Sequence, residues 1–179
     1  ASANVANGIT MSSNGNLALA NGTGAASNYS LNSTVINIAK RVLTSSGSKT
    51  YDANTNALAG AITLSNLVSG EALNHSGTAT ISSANVASYT INNLSGISIA
   101  DGSGGIASNY TLTGGTHNFT VNQRPLNATL ARQYDGTTTA AGSTLSSFDA
   151  LQGGETLTLS GSGTAANDNV ANGISVSSL

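Results

Sequence analysis

Four tyrosines carry most of the chemistry this chain could perform. Tyr51 and Tyr134 are each followed by an aspartate, Asp52 and Asp135, with Gly136 completing the second triplet; Tyr29 and Tyr110 are each preceded by an asparagine, Asn28 and Asn109. An aromatic ring beside a carboxylate or amide can stack on a sugar, and the two aspartates could hold a cation. The alternative is architectural. A tyrosine packs its ring under a turn and donates its hydroxyl to a backbone carbonyl, as a corner tyrosine does in sandwich folds, while the aspartate accepts backbone amides. Aromatic residues make up only 4% of the chain, so these rings are scarce core volume and the architectural role is preferred.

Other reactive residues are too dispersed to form a recognisable centre. Calcium takes about six to eight oxygens, usually from several carboxylates, whereas the seven acids (Asp52, Glu71, Asp101, Asp135, Asp149, Glu155 and Asp168) include no Asp-x-Asp cluster. No cofactor is expected, calcium being the one ion the acids could attract. His75 and His117 stand far apart without neighbouring acids or cysteines, which argues against zinc. Serines are abundant, but there is no Gly-x-Ser-x-Gly, and no histidine is expected beside a serine to activate it. A Lys to Asn crosslink would need a lysine retained between copies, yet Lys49 aligns with Arg132 and Lys40 with Gln123. The chain is therefore not expected to be an enzyme.

The elements that must position these residues come from a repeat. Residues 124–136 read RPLNATLARQYDG and residues 41–53 read RVLTSSGSKTYDA, so Arg41 aligns with Arg124 and Tyr51 with Tyr134 at a separation of 83 (124 − 41; 134 − 51). The ASNYSL of residues 26–31 returns as ASNYTL at 107–112, and the VANGI of residues 5–9 as VANGI at 170–174. A period of this length dictates tandem modules: residues 1–50 as the second half of a repeat, 51–133 as a complete repeat and 134–179 as the first half of another. The half-repeats are expected to complete each other or the ends of a neighbouring molecule. Within the complete repeat about seven short alternating segments, separated by Gly, Asn and Ser clusters, predict an all-β, immunoglobulin-like antiparallel sandwich. Strands are expected over residues 34–39, 58–64, 77–82 and 156–159, among others. A parallel β-helix shares the composition but would repeat every 20 or so residues. One position departs from the period: Ala53 stands where copy three has Gly136, so a turn needing positive φ would be strained there.

Composition limits the partners. Charged residues are 7% of the 179, against about 25% in a typical domain, and the formal net charge is −2. Five scattered cations make nucleic acid and anionic membrane poor partners. With 39% hydrophobic residues the chain is also unlike a disordered one. A module of this size buries only about 60% of its unfolded surface and gains from its neighbours. No cysteine is present to reinforce it, which lends slight support to export. No apolar run approaches membrane-spanning length, and Ala1 does not open a signal peptide, so the chain is expected to be an internal or mature piece without membrane insertion.

The Tyr-Asp-Gly-Thr-Thr-Thr-Ala of residues 134–140, the distal Asn-Tyr-Thr-Leu of residues 109–112 and the Arg-Pro-Leu strand leading to the next Tyr-Asp-Gly together resemble the YDG repeats of large bacterial exoproteins, the filamentous-haemagglutinin-like adhesins. The resemblance covers essentially the whole chain. It implies bacterial immunoglobulin-like modules in a secreted or cell-surface stalk or fibre, often exported by two-partner secretion, with neighbouring repeats or further copies as end-to-end partners. Each module would extend roughly 30–40 Å. A host-glycan-binding adhesin module is the second function the resemblance allows; an aromatic exposed at the same place in both copies would support it. Some adhesins of this kind are glycosylated at Asn-x-Ser/Thr. Such sites occur here at Asn21, Asn28, Asn32, Asn74, Asn93, Asn109, Asn118 and Asn127, although a chain this rich in Asn, Ser and Thr generates many by chance.

Overall fold

A computed structural model describes residues 4–91, 93–174 and 176–177. The backbone consists of short strands joined by turns, with four three-residue 3-10 turns and no α-helix among the described residues. The chain is thus all-β. Ser, Thr and Asn compete for backbone hydrogen bonds and Gly lacks a Cβ, so the residues that dominate here disfavour helix interiors. Among the described residues no helix is long and apolar enough to cross a membrane.

The chain divides into two compact units. The first comprises Ala1–Lys49, Thr55–Ser83 and Ala87–Thr120. It contains a four-stranded sheet in the order Ile62–Ser65, Thr44–Thr50, His117–Asn122, Ala87–Thr90, and a three-stranded sheet in the order Asn56–Leu58, Leu73–Thr80, Ile97–Asp101. The ladder between Leu73–Thr80 and Ile97–Asp101 is antiparallel, from Leu73 opposite Asp101 to Gly77 opposite Ile97. Arg41–Val42 runs parallel to Tyr110–Thr111, so the first strand of the repeat lies beside one of its last. The antiparallel ladders joining residues close in sequence are incompatible with a stack of parallel coils.

Leu43 and Phe119 are fully buried in this unit, with Ile62, Ile81, Ile91, Ile97 and Tyr110 also in the core. Phe119 lies directly on Gly47: a Cβ there would stand 2.8 Å from the ring and 2.3 Å from the Ala61 carbonyl oxygen. Val35–Ile38 pairs with Ala6–Thr10, but Val35 and Ile36 remain exposed.

The second unit comprises Thr50–Asn54, Ala84–Val86 and Val121–Leu179. Ala128–Leu130 pairs with Leu145–Phe148, and Thr139–Ala141 with Ser162–Ala165, which in turn pairs with Val176–Ser177. Val121 and Ala140 are its buried apolar side chains among the described residues. Two expected strands differ. The run over 58–64 is broken by a 3-10 turn at Ala59–Ala61 between Asn56–Leu58 and Ile62–Ser65. Residues 156–159 form no strand, and pairing begins only at Ser162.

Candidate functional site

Scarce charges recur at the same corner of each unit. In the first unit the Arg41 Nε donates to the Asn66 carbonyl at 2.6 Å and Nη2 to Asn66 Oδ1 at 2.8 Å, while Asn66 Nδ2 returns a bond to the Val42 carbonyl at 2.7 Å. In the second unit the Arg124 Nε donates to the Ala150 carbonyl at 2.7 Å. Asn66 and Ala150 both hold positive φ, 67° and 56°. Each arginine therefore ties its own segment, the strand Arg41–Val42 in one unit and the stretch ahead of Ala128–Leu130 in the other, to the carbonyl of a left-handed residue in the following loop. That loop cannot close through a regular ladder, and the guanidinium fork supplies the missing donors.

A tyrosine and a glutamate complete each corner. The Tyr110 hydroxyl donates to the Glu71 carboxylate and accepts the Val68 amide at 3.2 Å. The Tyr51 hydroxyl donates to Glu155, and its carbonyl lies 3.4 Å from Arg124 Nη1. These carboxylates hold both phenols above their ordinary range, since a phenolate facing a carboxylate would lose the bond and gain repulsion. For Tyr51 and Tyr110 the expectation of donation to a backbone carbonyl is thus corrected: their acceptors are carboxylates. Burial also differs between equivalent positions. Tyr110 is buried and Tyr51 half-buried, whereas Tyr29 and Tyr134 are 70% and 65% exposed.

The aspartates behave as turn residues. Asp135 Oδ1 accepts the Thr137 amide at 3.0 Å and hydroxyl at 2.9 Å and is paired with Arg132. The Arg132 guanidinium, with the Thr137 bonds behind it, holds the Asp135 carboxyl below its ordinary range. Asp52 accepts the Asn54 amide at 3.2 Å. Ala53 keeps φ at 57° where Gly136 has 73°, so copy two makes the same left-handed turn and carries the strain in an alanine. Asp149 accepts both the backbone and side-chain nitrogens of Asn127 at 2.7 Å, the backbone amide being the larger cause of its lowered pKa. Among the described residues no three His, Asp or Glu side chains converge on a cation position.

Asn28 and Asn109 occupy equivalent 3-10 turns, Ala26–Asn28 and Ala107–Asn109. Asn109 Oδ1 accepts the Val5 amide at 2.9 Å. Of the remaining asparagines that could accept a glycan, Asn21, Asn32, Asn74, Asn93, Asn118 and Asn127 are exposed. The expectation that no histidine stands beside a serine is overturned: Ser45 Oγ lies 2.9 Å from His117 Nδ1, and His117 Nε2 donates to the Leu112 carbonyl at 2.8 Å. Serine and histidine are 5% and 4% exposed, so the pair satisfies its own polar atoms within the core. In the neutral ring Nε2 carries the hydrogen and Nδ1 accepts from the serine.

Sequence reasoning passed over Glu71, Glu155 and the arginine clamps. The signal was present: in a chain with seven acids and five cations, Arg41 recurs after 83 residues (124 − 41) and Glu71 after 84 (155 − 71). Charges kept in register in so neutral a chain mark the corner. The second unit also holds an open groove of about 900 Å³ bordered by Tyr51, Leu126, Leu151, Glu155 and Leu157.

A model of the YDG domain matches residues 38–118 and 120–179. No curated protein and no solved structure matches the chain.

Proposed function

The chain belongs to the YDG domain family, and from that footing we propose a non-catalytic structural role, as repeat modules of a secreted or cell-surface bacterial fibre or adhesin stalk of the filamentous-haemagglutinin-like kind. Each repeat is an immunoglobulin-like β-sandwich that acts as a spacer and meets its neighbours end to end. The observation that carries this reading is the recurring corner: Arg41, Asn66, Tyr110 and Glu71 in one unit, Arg124, Ala150, Tyr51 and Glu155 in the other. In both, groups able to hold a ligand are engaged with one another, and every described buried side-chain polar atom has a partner. Such corners set the register between a strand and the loop that follows it. The placement of a repeat's first strand beside a late one favours a closed sandwich for the module.

Small-angle scattering from chains of two, three and four repeats tests the role. The largest dimension should grow linearly, by roughly 30–40 Å per repeat; a dimension that saturates overturns the spacer. A glycan-binding module would expose an aromatic at the same place in both copies. Tyr29 is exposed where Tyr110 is buried, and Tyr134 is exposed where Tyr51 is half-buried, so the spacer reading is preferred and a glycan array is expected to stay blank.

A further inference from the structure

Two contacts join residues that lie further apart than one period of the repeat. Copies follow one another every 83 residues (124 − 41), whereas the Tyr51 hydroxyl and Glu155 are 104 residues apart, and so are the Val5 amide and the Asn109 side chain. A separation greater than the period places the partners in different copies wherever a repeat is taken to begin. The other bonds of the corner stay local: Arg41 to Asn66 spans 25 residues, Arg124 to Ala150 spans 26 and Tyr110 to Glu71 spans 39.

Tyr51 is held at three points. Its amide donates to the Asn122 carbonyl at 2.9 Å, its carbonyl lies 3.4 Å from Arg124 Nη1, and its hydroxyl donates to Glu155. Tyr51 lies inside the first segment that the family model matches, 38–118, and all three partners lie inside the second, 120–179. The compact units agree, because Thr50–Asn54 and Ala84–Val86 belong with Val121–Leu179 and not with the residues that flank them in sequence.

The Asn-Val-Ala of residues 4–6 returns at residues 85–87, and in both places it meets the copy that follows. In the earlier one, Asn109 Oδ1 accepts the Val5 amide at 2.9 Å and Asn109 Nδ2 donates to Asn4 Oδ1 at 3.1 Å, so one side-chain amide grips backbone and side chain together. In the later one, Val86 borders the groove that Tyr51, Arg124 and Glu155 also border. A segment used alike in two copies is a property of the repeat and not of one position in it.

We propose that each repeat carries a docking surface for the repeat that follows it in the same chain, formed by its Tyr-Asp corner and its Asn-Val-Ala segment, with Arg124, Glu155 and Asn109 as the receiving residues. The preceding copy supplies the tyrosine hydroxyl and the valine amide as donors; the following copy supplies a carboxylate and an amide oxygen as acceptors. The two faces are different, so the contact is directional and repeats in series. Coupling of this kind gives each repeat a stability that includes a term from its neighbour. The proposal rests on the spacer reading, in which repeats meet end to end.

Amide exchange on the 179-residue chain tests the coupling. Tyr51→Phe removes only the hydroxyl. It should speed exchange several-fold at Ser162–Ala165, in the following copy, and leave Leu73–Thr80, in the same copy as Tyr51, unchanged. Glu155→Ala should act likewise, and the double variant should add little to either single one, since both delete the same bond. Asn109→Ala should speed exchange several-fold at Ala6–Thr10, in the copy before its own. Exchange at Ser162–Ala165 that ignores Tyr51→Phe, a response at Leu73–Thr80 in its place, additive effects in the double variant, or an Ala6–Thr10 strand indifferent to Asn109 overturns the proposal. Any of these would leave the spacer role standing, since repeats joined only by their chain still lengthen the molecule linearly. A length that saturates while the coupling is measured would remove the role and keep the contacts.

Discussion

Ala53 and Ala150 hold left-handed backbone without being glycine, with φ of 57° and 56°. Alanine in that region is strained by roughly 1–2 kcal/mol, and the surrounding hydrogen bonds must hold it there. Ala53→Gly should therefore stabilise the second unit by about 0.5–1 kcal/mol, after the extra freedom glycine gives the unfolded chain, and Gly136→Ala should destabilise it by a similar amount; urea midpoints check both. Acid titration addresses the neighbouring carboxylates. Asp135 and Asp149 have folded pKa values below the ordinary value of about 3.9, owing first to Arg132 and to the Asn127 amide respectively. Their contribution is present above that value and is lost as pH falls through the lower folded values. The denaturant midpoint should fall below pH 4, and less steeply in Asp149→Asn. At this scale the sequence announced the turn but not its partners. Tyr-Asp-Gly is a local signal, whereas the glutamates that receive Tyr51 and Tyr110 lie 104 and 39 residues away, and nothing local specifies which tyrosine reaches which glutamate.

Among the elements, His117–Asn122 is the strand on which the first unit's core is most plainly written. His117 and Phe119 point inward and Asn118 outward, as period-two alternation predicts. Phe119 is fully buried against Gly47, and Phe119→Ala should cost about 3–5 kcal/mol through lost burial and the cavity left behind. Gly47→Ala should destabilise as well, because its Cβ would press on both the ring and the Ala61 carbonyl; thermal melts of the two variants test the contact from each side. The strands missed or misplaced share a physical cause. At residues 58–64 the run is apolar apart from Gly60 and Thr63, yet Ala59–Ala61 turns as a 3-10 segment so that Ala59 and Ile62 both reach the core. At residues 156–159 the alternation is correct, and among the described residues no strand pairs with it. A pattern states which face a strand would bury, but only a neighbour makes it a strand.

For the molecule as a whole, repetition was legible and the distribution of stability was not. An 83-residue period predicts modules of like construction, but burial is uneven. The first unit encloses Leu43, Ile62, Ile81, Ile91, Ile97, Tyr110 and Phe119, while the buried apolar side chains of the second, among the described residues, are Val121 and Ala140. Hydrophobic stabilisation scales with apolar area removed from water, so the second unit should unfold first. Calorimetry should resolve two transitions, and amide exchange should show lower opening energies for Ser162–Ala165 than for Leu73–Thr80.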